Sequence, residues 1–293
     1  VRSSAASDVY KRQIIYYPIN VDLSGVIEMQ TDILIQSFID GVYDERLLDV
    51  YADETKIYYQ RERYINAIKK FEQCYKLGDV ELFSAPGRSE IGGNHTDHQN
   101  GEVLAASVNL DTIGIVKKMD DNVIRLVSDN YDEIIIRLDD VSVKEKEKET
   151  TKALIKGVVS GFLERNYSVG GFQAYITSDV LIGAGLSSSA AFETLIGTIL
   201  SGLYNEGKVS PVLIAQAGQY AENVFFGKPC GLMDQMASSV GNLIFIDFAD
   251  VKNPVIKKVN VNFEDFNHSL CIVDTKGSVS YTHLRAHETS AHL

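Results

Sequence analysis

Between Ile27 and about Leu77, apolar residues recur at intervals of three and four: Ile33, Leu34, Phe38 and Ile39, then Tyr64, Ile65, Ile68 and Phe71. That is the spacing of one helix face, so the pattern predicts a helical N-terminal region. From Val80 the period shortens. The run VELF, Val80 to Phe83, is followed by a Pro86-Gly87 turn signal, and VLAASVNLDTIGIV alternates well enough for a strand. The charge run KEKEKE, Lys144 to Glu149, interrupts this pattern and reads as a solvated loop or helix entry. Thr150 or Thr151 is placed to cap the next helix, whose apolar face is Leu154, Ile155, Val158, Val159 and Phe162. GGFQAYITSDV then alternates Phe172, Ala174 and Ile176 as a strand does. From Ala190 the spacing becomes helical again through Ala191, Leu195, Ile196, Ile199 and Leu203. No internal repeat is apparent.

Composition narrows the class. The chain has 293 residues, 45% hydrophobic and 23% charged, which suits a soluble globular protein of one large domain or two ordinary ones. A formal net charge of −12 argues against general affinity for nucleic acid or an anionic membrane, so any phosphate ligand must be held by local donors. The three cysteines, Cys74, Cys230 and Cys271, lie far apart and form no C-x-x-C pair, which fits a reducing compartment better than a disulfide framework. No apolar run approaches the ~20 residues of a membrane span, and no signal peptide is visible. The expectation is a cytoplasmic protein; nothing identifies protein partners.

Three segments carry chemistry. GRSEIGGNHTDHQNG, Gly87 to Gly101, sets an arginine, two histidines and an aspartate among four glycines in what reads as a strand-to-strand connection. Glycines between ionisable groups mark a backbone that approaches something closely. A metal site at His95 and His98 with Asp97 lacks the regular spacing of zinc motifs, and a merely solvated loop leaves Arg88 and Asp97 unexplained. In the second segment, LIGAGLSSSAAFETLIGTIL, neither the P-loop nor the dinucleotide pattern is completed. Here Gly183 and Gly185 precede three serines that run into a helix N-terminus, an anion cradle without lysine in which a serine hydroxyl can also ligate Mg²⁺. The plainer alternative is an N-cap cluster beside a tight turn. The third segment runs from Gln219 to Phe248, with Glu222 on a helix and Asp234 following a Pro229-Cys230-Gly231 turn into another helical stretch. Together with the cradle and Arg88, these carboxylates supply a metal ligand and a base for phosphoryl transfer. Cys230 reads as a wall residue.

The three segments resemble the galactokinases of the GHMP small-molecule kinase family. GRSEIGGNHTDHQNG is similar to the galactokinase signature, LIGAGLSSSAA to the family's ATP loop and PCGLMDQ to the galactokinase active-site segment, over roughly Val80 to Lys276. The resemblance implies an α+β fold, a strand-and-helix N-terminal domain beside a ferredoxin-like C-terminal domain with the active site between them. It implies catalytic roles for Arg88, which stabilises the transferring phosphoryl, and Asp234, which takes the proton from the anomeric hydroxyl as that hydroxyl attacks the γ-phosphate of ATP. Asn94, His95, Thr96 and Asp97 would bind the sugar, and Gly231 would admit the backbone to it. Gly183, Ala184, Gly185, Leu186, Ser187, Ser188 and Ser189 would wrap the phosphates, with Ser189 and Glu222 on Mg²⁺. The implied activity is ATP-dependent phosphorylation of a sugar at its anomeric hydroxyl, D-galactose first. The alternatives are a kinase for N-acetylgalactosamine or arabinose, or a galactokinase-like sensor that binds ATP and sugar without catalysis.

Two departures stand out. Asn94 occupies the place where galactokinases usually carry the glutamate of E-H-T-D; an amide can hydrogen-bond a hydroxyl but brings no charge. The lead before Val80 is also longer than most of the family carry. The resulting division is a foreign-looking leader at 1–13, a helical extension at 14–79, the GHMP N-terminal domain with the start of the second domain at 80–277, and a foreign-looking tail at 278–293. Both ends resemble translated adaptor sequence. On that reading the His283 and His287 pair in the tail is no zinc helix, and most of the ferredoxin-like domain is missing after the apolar strand Ser269 to Thr275.

Overall fold

A computed structural model of the chain describes residues 16–17, 29–129 and 131–261. The leader, the strand expected at Ser269 to Thr275, Cys271 and the tail lie outside the described residues. A short strand β1 (Tyr16–Tyr17) is followed by β2 (Met29–Gln30) and by three helices, α1 (Thr31–Ile39), α2 (Asp44–Tyr51) and α3 (Ile57–Tyr75). The N-terminal region is therefore helical as its periodicity predicts, although β1 and β2 also pair antiparallel with the next strand. The helical phase settles which apolar residues face inward. Leu34 and Phe38, four apart, are buried, whereas Ile33 and Ile39 flank that row and stay exposed.

Next come β3 (Asp79–Gly92), β4 (Glu102–Lys118), β5 (Val123–Ser128), β6 (Ile134–Arg137), α4 (Thr151–Glu164) and β7 (Phe172–Ser178). The chain continues through α5 (Ser188–Asn205), α6 (Pro211–Tyr220), a π-helical turn at Ala221–Phe226, α7 (Met233–Val240), β8 (Leu243–Asp247) and β9 (Val255–Lys258). The Thr150 hydroxyl accepts from the Ala153 amide at 3.3 Å and so caps α4. The sheet runs β1-β3-β4-β7-β5-β6, with β8 on the far half of β4 and β9 beside β8; β5 and β7 are parallel.

Period-2 alternation puts this sheet between two helical layers. On one face Phe83, Ala85, Val116, Ala174 and Ile176 pack with α4, α5 and α6. On the other, Val80, Leu82, Ile113, Ile115 and Tyr175 pack with Leu34, Phe38, Tyr64, Ile68 and Phe71 of the N-terminal helices. The extension is thus one wall of the sheet's core. A third cluster joins β4 and β8 to α7 through Val103, Ala105, Met233, Met236 and Ile246.

The sequence reading of Pro86-Gly87 as a turn is corrected here. β3 continues through both residues to Gly92, and the register to β4 slips between Pro86 and Arg88. A bulge accommodates the proline, which has no N–H for the ladder, and re-aims the strand just before Arg88. The connecting loop proper is only 93–101.

Candidate active site

Four elements converge: the end of β3, the loop from β7 into α5, the π-helical turn and the start of α7. At their centre is a two-point ion pair across 146 positions of sequence. Arg88 Nε donates to Asp234 Oδ1 at 2.7 Å and Nη2 to Oδ2 at 2.6 Å. Arg88 is 2% exposed, and its Nη1 donates to the Gly185 carbonyl at 2.6 Å while its backbone N–H reaches the Leu186 carbonyl at 3.0 Å. One arginine therefore fastens the glycine loop and the carboxylate together. The Ser187 hydroxyl also donates to Asp234 Oδ2. A carboxylate has about four lone-pair positions, and the described residues take three of them, which leaves one on Oδ1. Burial pushes the Asp234 carboxyl up, but the Arg88 charge, its hydrogen bonds and the Ser187 hydroxyl outweigh it and hold the group below the usual aspartate value.

The glycine loop is open. A Cβ at Gly183 or Gly185 would meet nothing within 4 Å, and both residues adopt positive φ, as does Ser187 at +55° just before α5. A non-glycine residue in that conformation stores strain of a kind common at ligand loops. The loop runs directly into the N-terminus of α5 at Ser188, a helix end that favours an anion. Packing is tight on the inner side: a Cβ at Gly87 would lie 2.9 Å from the Leu186 carbonyl, so the bulge glycine lets β3 and the loop touch.

Ser189 Oγ donates to Glu222 Oε1 at 3.1 Å, which brings together the two residues expected to hold a divalent cation. Their donor set, a hydroxyl and a carboxylate beside a phosphate cradle, suits Mg²⁺, which uses few protein ligands and takes substrate phosphate oxygens besides. Among the described residues there is no group of three or more His, Cys, Asp or Glu placed to hold a metal. Gln235 and Glu193, which sequence reasoning did not single out, join Glu222. Gln235 Nε2 donates at 3.0 Å to both Glu222 Oε2 and Glu193 Oε2, and all three residues are buried. Burial drives the Glu193 carboxyl well above its ordinary value, and the Glu222 charge adds to the shift. The available signals were Gln235 directly after Asp234 and Glu193 one helical turn after Ser189. Cys230 is half-buried, and its thiol is pushed far up, first by burial and then by the Glu222 charge, which disfavours the reactive thiolate.

The 93–101 loop holds the expected sugar-binding residues. Asn94 and His95 both take left-handed backbone, φ +52° and +51°, which asparagine tolerates better than most residues. Asn94 is exposed. His95 is held by Glu90, whose Oε1 accepts from the His95 amide at 2.9 Å and whose Oε2 lies 3.2 Å from Nε2. A carboxylate that sequence reasoning passed over thus sits beside the loop. Thr96 donates to the Glu102 carbonyl and closes the loop's base. Asp97 is buried, and its Oδ2 accepts from the Met233 amide at 3.1 Å. Gly231 is explained by the same carboxylate, because a Cβ there would fall 1.7 Å from Asp97 Oδ2. Gly231, expected to let the backbone approach a sugar, here lets it approach the Asp97 carboxylate.

Residues 153–242 match the GHMP kinases N-terminal domain, and residues 69–118 match the galactokinase galactose-binding signature. Over these two segments the chain is similar to the GHMP kinases and, within them, to the galactokinases. It is 37% identical over 179 residues to a galactokinase of Clostridium tetani, covering 60% of this chain and 45% of that protein. It is 34% identical over 203 residues to a galactokinase of Fusobacterium nucleatum, covering 67% and 52%. Among solved structures, Lactococcus lactis galactokinase complexed with galactose superposes with a TM-score of 0.59 at 29% identity, over 66% of this chain and 51% of that one. Methanococcus jannaschii mevalonate kinase, at 19% identity and a TM-score of 0.53 over 64% and 58%, shares the fold. The chain spans about half the length of the curated relatives it matches. No helix among the described residues is long and apolar enough to cross a membrane.

Proposed function

We propose that the protein is an ATP-dependent sugar kinase that phosphorylates an anomeric hydroxyl, with D-galactose the favoured acceptor. The observation that carries this reading is the Arg88–Asp234 pair fastened to an open glycine loop at a helix N-terminus, beside a signature loop that buries Asp97. In this scheme Gly183 to Ser189 wrap the nucleotide phosphates, Asn94, His95, Thr96 and Asp97 orient the sugar, and the free lone pair of Asp234 Oδ1 receives the proton of the attacking oxygen. The bond from the γ-phosphorus to its β-bridging oxygen breaks as the new bond to the sugar oxygen forms. Arg88 faces the charge that develops between them. A depressed pKa makes Asp234 a weak base, which a loose phosphoryl transition state tolerates because it asks mainly for position and charge. Mg²⁺, held by Ser189 and Glu222, would neutralise phosphate charge.

Galactose is preferred because the galactose-binding signature matches and the relatives are named galactokinases. Asn94 leaves acceptors such as N-acetylgalactosamine or arabinose as alternatives. The proximity of Arg88 to Asp234 and of Ser189 to Glu222 supports a catalytic reading over a non-catalytic sensor. The test is ADP release by the full-length protein with ATP, Mg²⁺ and a panel of galactose, N-acetylgalactosamine, arabinose and glucose. Galactose-dependent release supports the reading; sugar binding without ADP release favours the sensor.

A further inference from the structure

The N-terminal helices reach the nucleotide loop through a buried polar cluster that the proposed chemistry does not use. Arg63 on α3 is 8% exposed and Asp111 on β4 is 3% exposed. Arg63 Nη1 donates to Asp111 Oδ1 at 2.5 Å and Nη2 to the Asp111 carbonyl at 2.8 Å. Tyr51 of α2 donates to Asp111 Oδ2 at 2.9 Å, and Ser84 of β3 donates to the same oxygen. The cluster does not end at the sheet. Arg63 Nη1 also lies 3.1 Å from Oδ2 of Asp179, and Tyr59 of α3 donates to Asp179 Oδ1 at 3.0 Å, while the Asp179 amide donates to the Asp111 carbonyl at 2.9 Å.

Asp179 is the residue from which β7 enters the phosphate loop. The next residue, Val180, is buried with Leu186 and Ala191, and a Cβ on Gly87 would touch both Val180 and the Leu186 carbonyl. Leu186 and Gly185 in turn bond Arg88. The contacts are therefore continuous: Arg63 and Tyr59, Asp179, Val180, Leu186, Arg88, Asp234. We infer that Arg63 and Tyr59 of the N-terminal helices are positioning residues for nucleotide binding, which clamp Asp179 and so hold the entry of the phosphate loop in its binding geometry. Packing alone would need only the apolar face of α3; two side chains of one helix converging on both oxygens of a single carboxylate at the loop's first turn is a more specific arrangement. The inference rests on the proposed nucleotide role of Gly183 to Ser189.

Asp179→Ala tests it without orphaning a buried charge, because Arg63 keeps Asp111. The measurement is the dissociation constant of a non-hydrolysable ATP analogue with Mg²⁺, beside that of galactose and the thermal midpoint, in the full-length protein. The expected result is nucleotide binding weakened by about tenfold, ~1.4 kcal/mol, with galactose affinity and Tm little changed. Tyr59→Phe should give a smaller loss in the same direction, and Asp179→Asn, whose single carbonyl oxygen can still accept from Arg63 while its amide nitrogen cannot accept from Tyr59, should restore part of the affinity. Nucleotide affinity within twofold of wild type in Asp179→Ala, or equal losses for nucleotide and sugar, would overturn the clamp. If the wild-type protein itself binds no nucleotide, the proposed function fails with it, so the two failures are distinguishable.

Discussion

Replacing Arg88 by methionine keeps most of the side-chain volume but removes the cation from a site 2% exposed to solvent. Asp234 then loses two charge-assisted hydrogen bonds and keeps only that from Ser187 among those shown. Breaking one side of a buried pair costs about 3–5 kcal/mol, a large part of the roughly 5–15 kcal/mol that stabilises a domain. The sign of the pH dependence follows from the carboxyl. In the wild type its pKa lies below the usual value, so its contribution is fully present above about pH 4 and is lost only as pH falls through the lower folded value. In Arg88→Met the cation no longer opposes burial, and the folded pKa rises above the unfolded one. That carboxyl then destabilises the variant at pH 7 and destabilises it less as pH falls toward 4, at ~1.4 kcal/mol per pKa unit. Denaturant unfolding of both proteins at pH 7 and pH 5 is the assay. The stability gap should be several kcal/mol at pH 7 and should narrow at pH 5; a gap below about 1 kcal/mol, or one that widens on acidification, would refute the reasoning.

Asp234→Asn should lower kcat by about 10²–10⁴-fold, the usual worth of a positioned base, while nucleotide titrations change little; turnover within a few fold of wild type removes Asp234 from the proton transfer. Ser189→Ala and Glu222→Gln should each raise the Mg²⁺ concentration needed for half-maximal ATP turnover with the fold intact by circular dichroism, and unchanged magnesium dependence in both would mean the cation is held elsewhere. Gly231→Ala forces a methyl group into the Asp97 carboxylate, an overpacking cost of about 1–3 kcal/mol. It should lower Tm and weaken sugar binding together; a protein as stable and as sugar-competent as wild type would show that Asp97 is free to move aside.

Much of this site is legible in the sequence because its parts are local. The serine run into a helix, the cap read at Thr150 or Thr151 and the alternation of Phe172, Ala174 and Ile176 each depend on neighbours within a few residues; the structure has the strand as read, chooses Thr150 as the cap and starts α5 at Ser188, two residues before the apolar spacing begins. What stays hidden is pairing at a distance. Arg63 and Asp111 stand 48 residues apart, and each looks like an ordinary surface charge within its own element. Gln235 serves two carboxylates, 13 and 42 residues away, and no periodicity announces that. The Pro86-Gly87 bulge mimics a turn because both features call for the same residues; only the partner strand shows that the ladder resumes at Arg88 opposite Ser107. Asp97 reads as a sugar ligand, yet its reach to the Met233 amide, and the resulting need for glycine at 231, appear only once α7 is in place.

The central claim is transfer of the γ-phosphoryl group of ATP to an anomeric oxygen, and phosphorus NMR of the reaction tests it most directly. Full-length protein incubated with ATP, Mg²⁺ and galactose should convert the γ-phosphate signal into one that couples to the sugar's anomeric proton, with ADP formed in equal amount. A product phosphorylated at any other hydroxyl, or ADP formation independent of every sugar supplied, would contradict it.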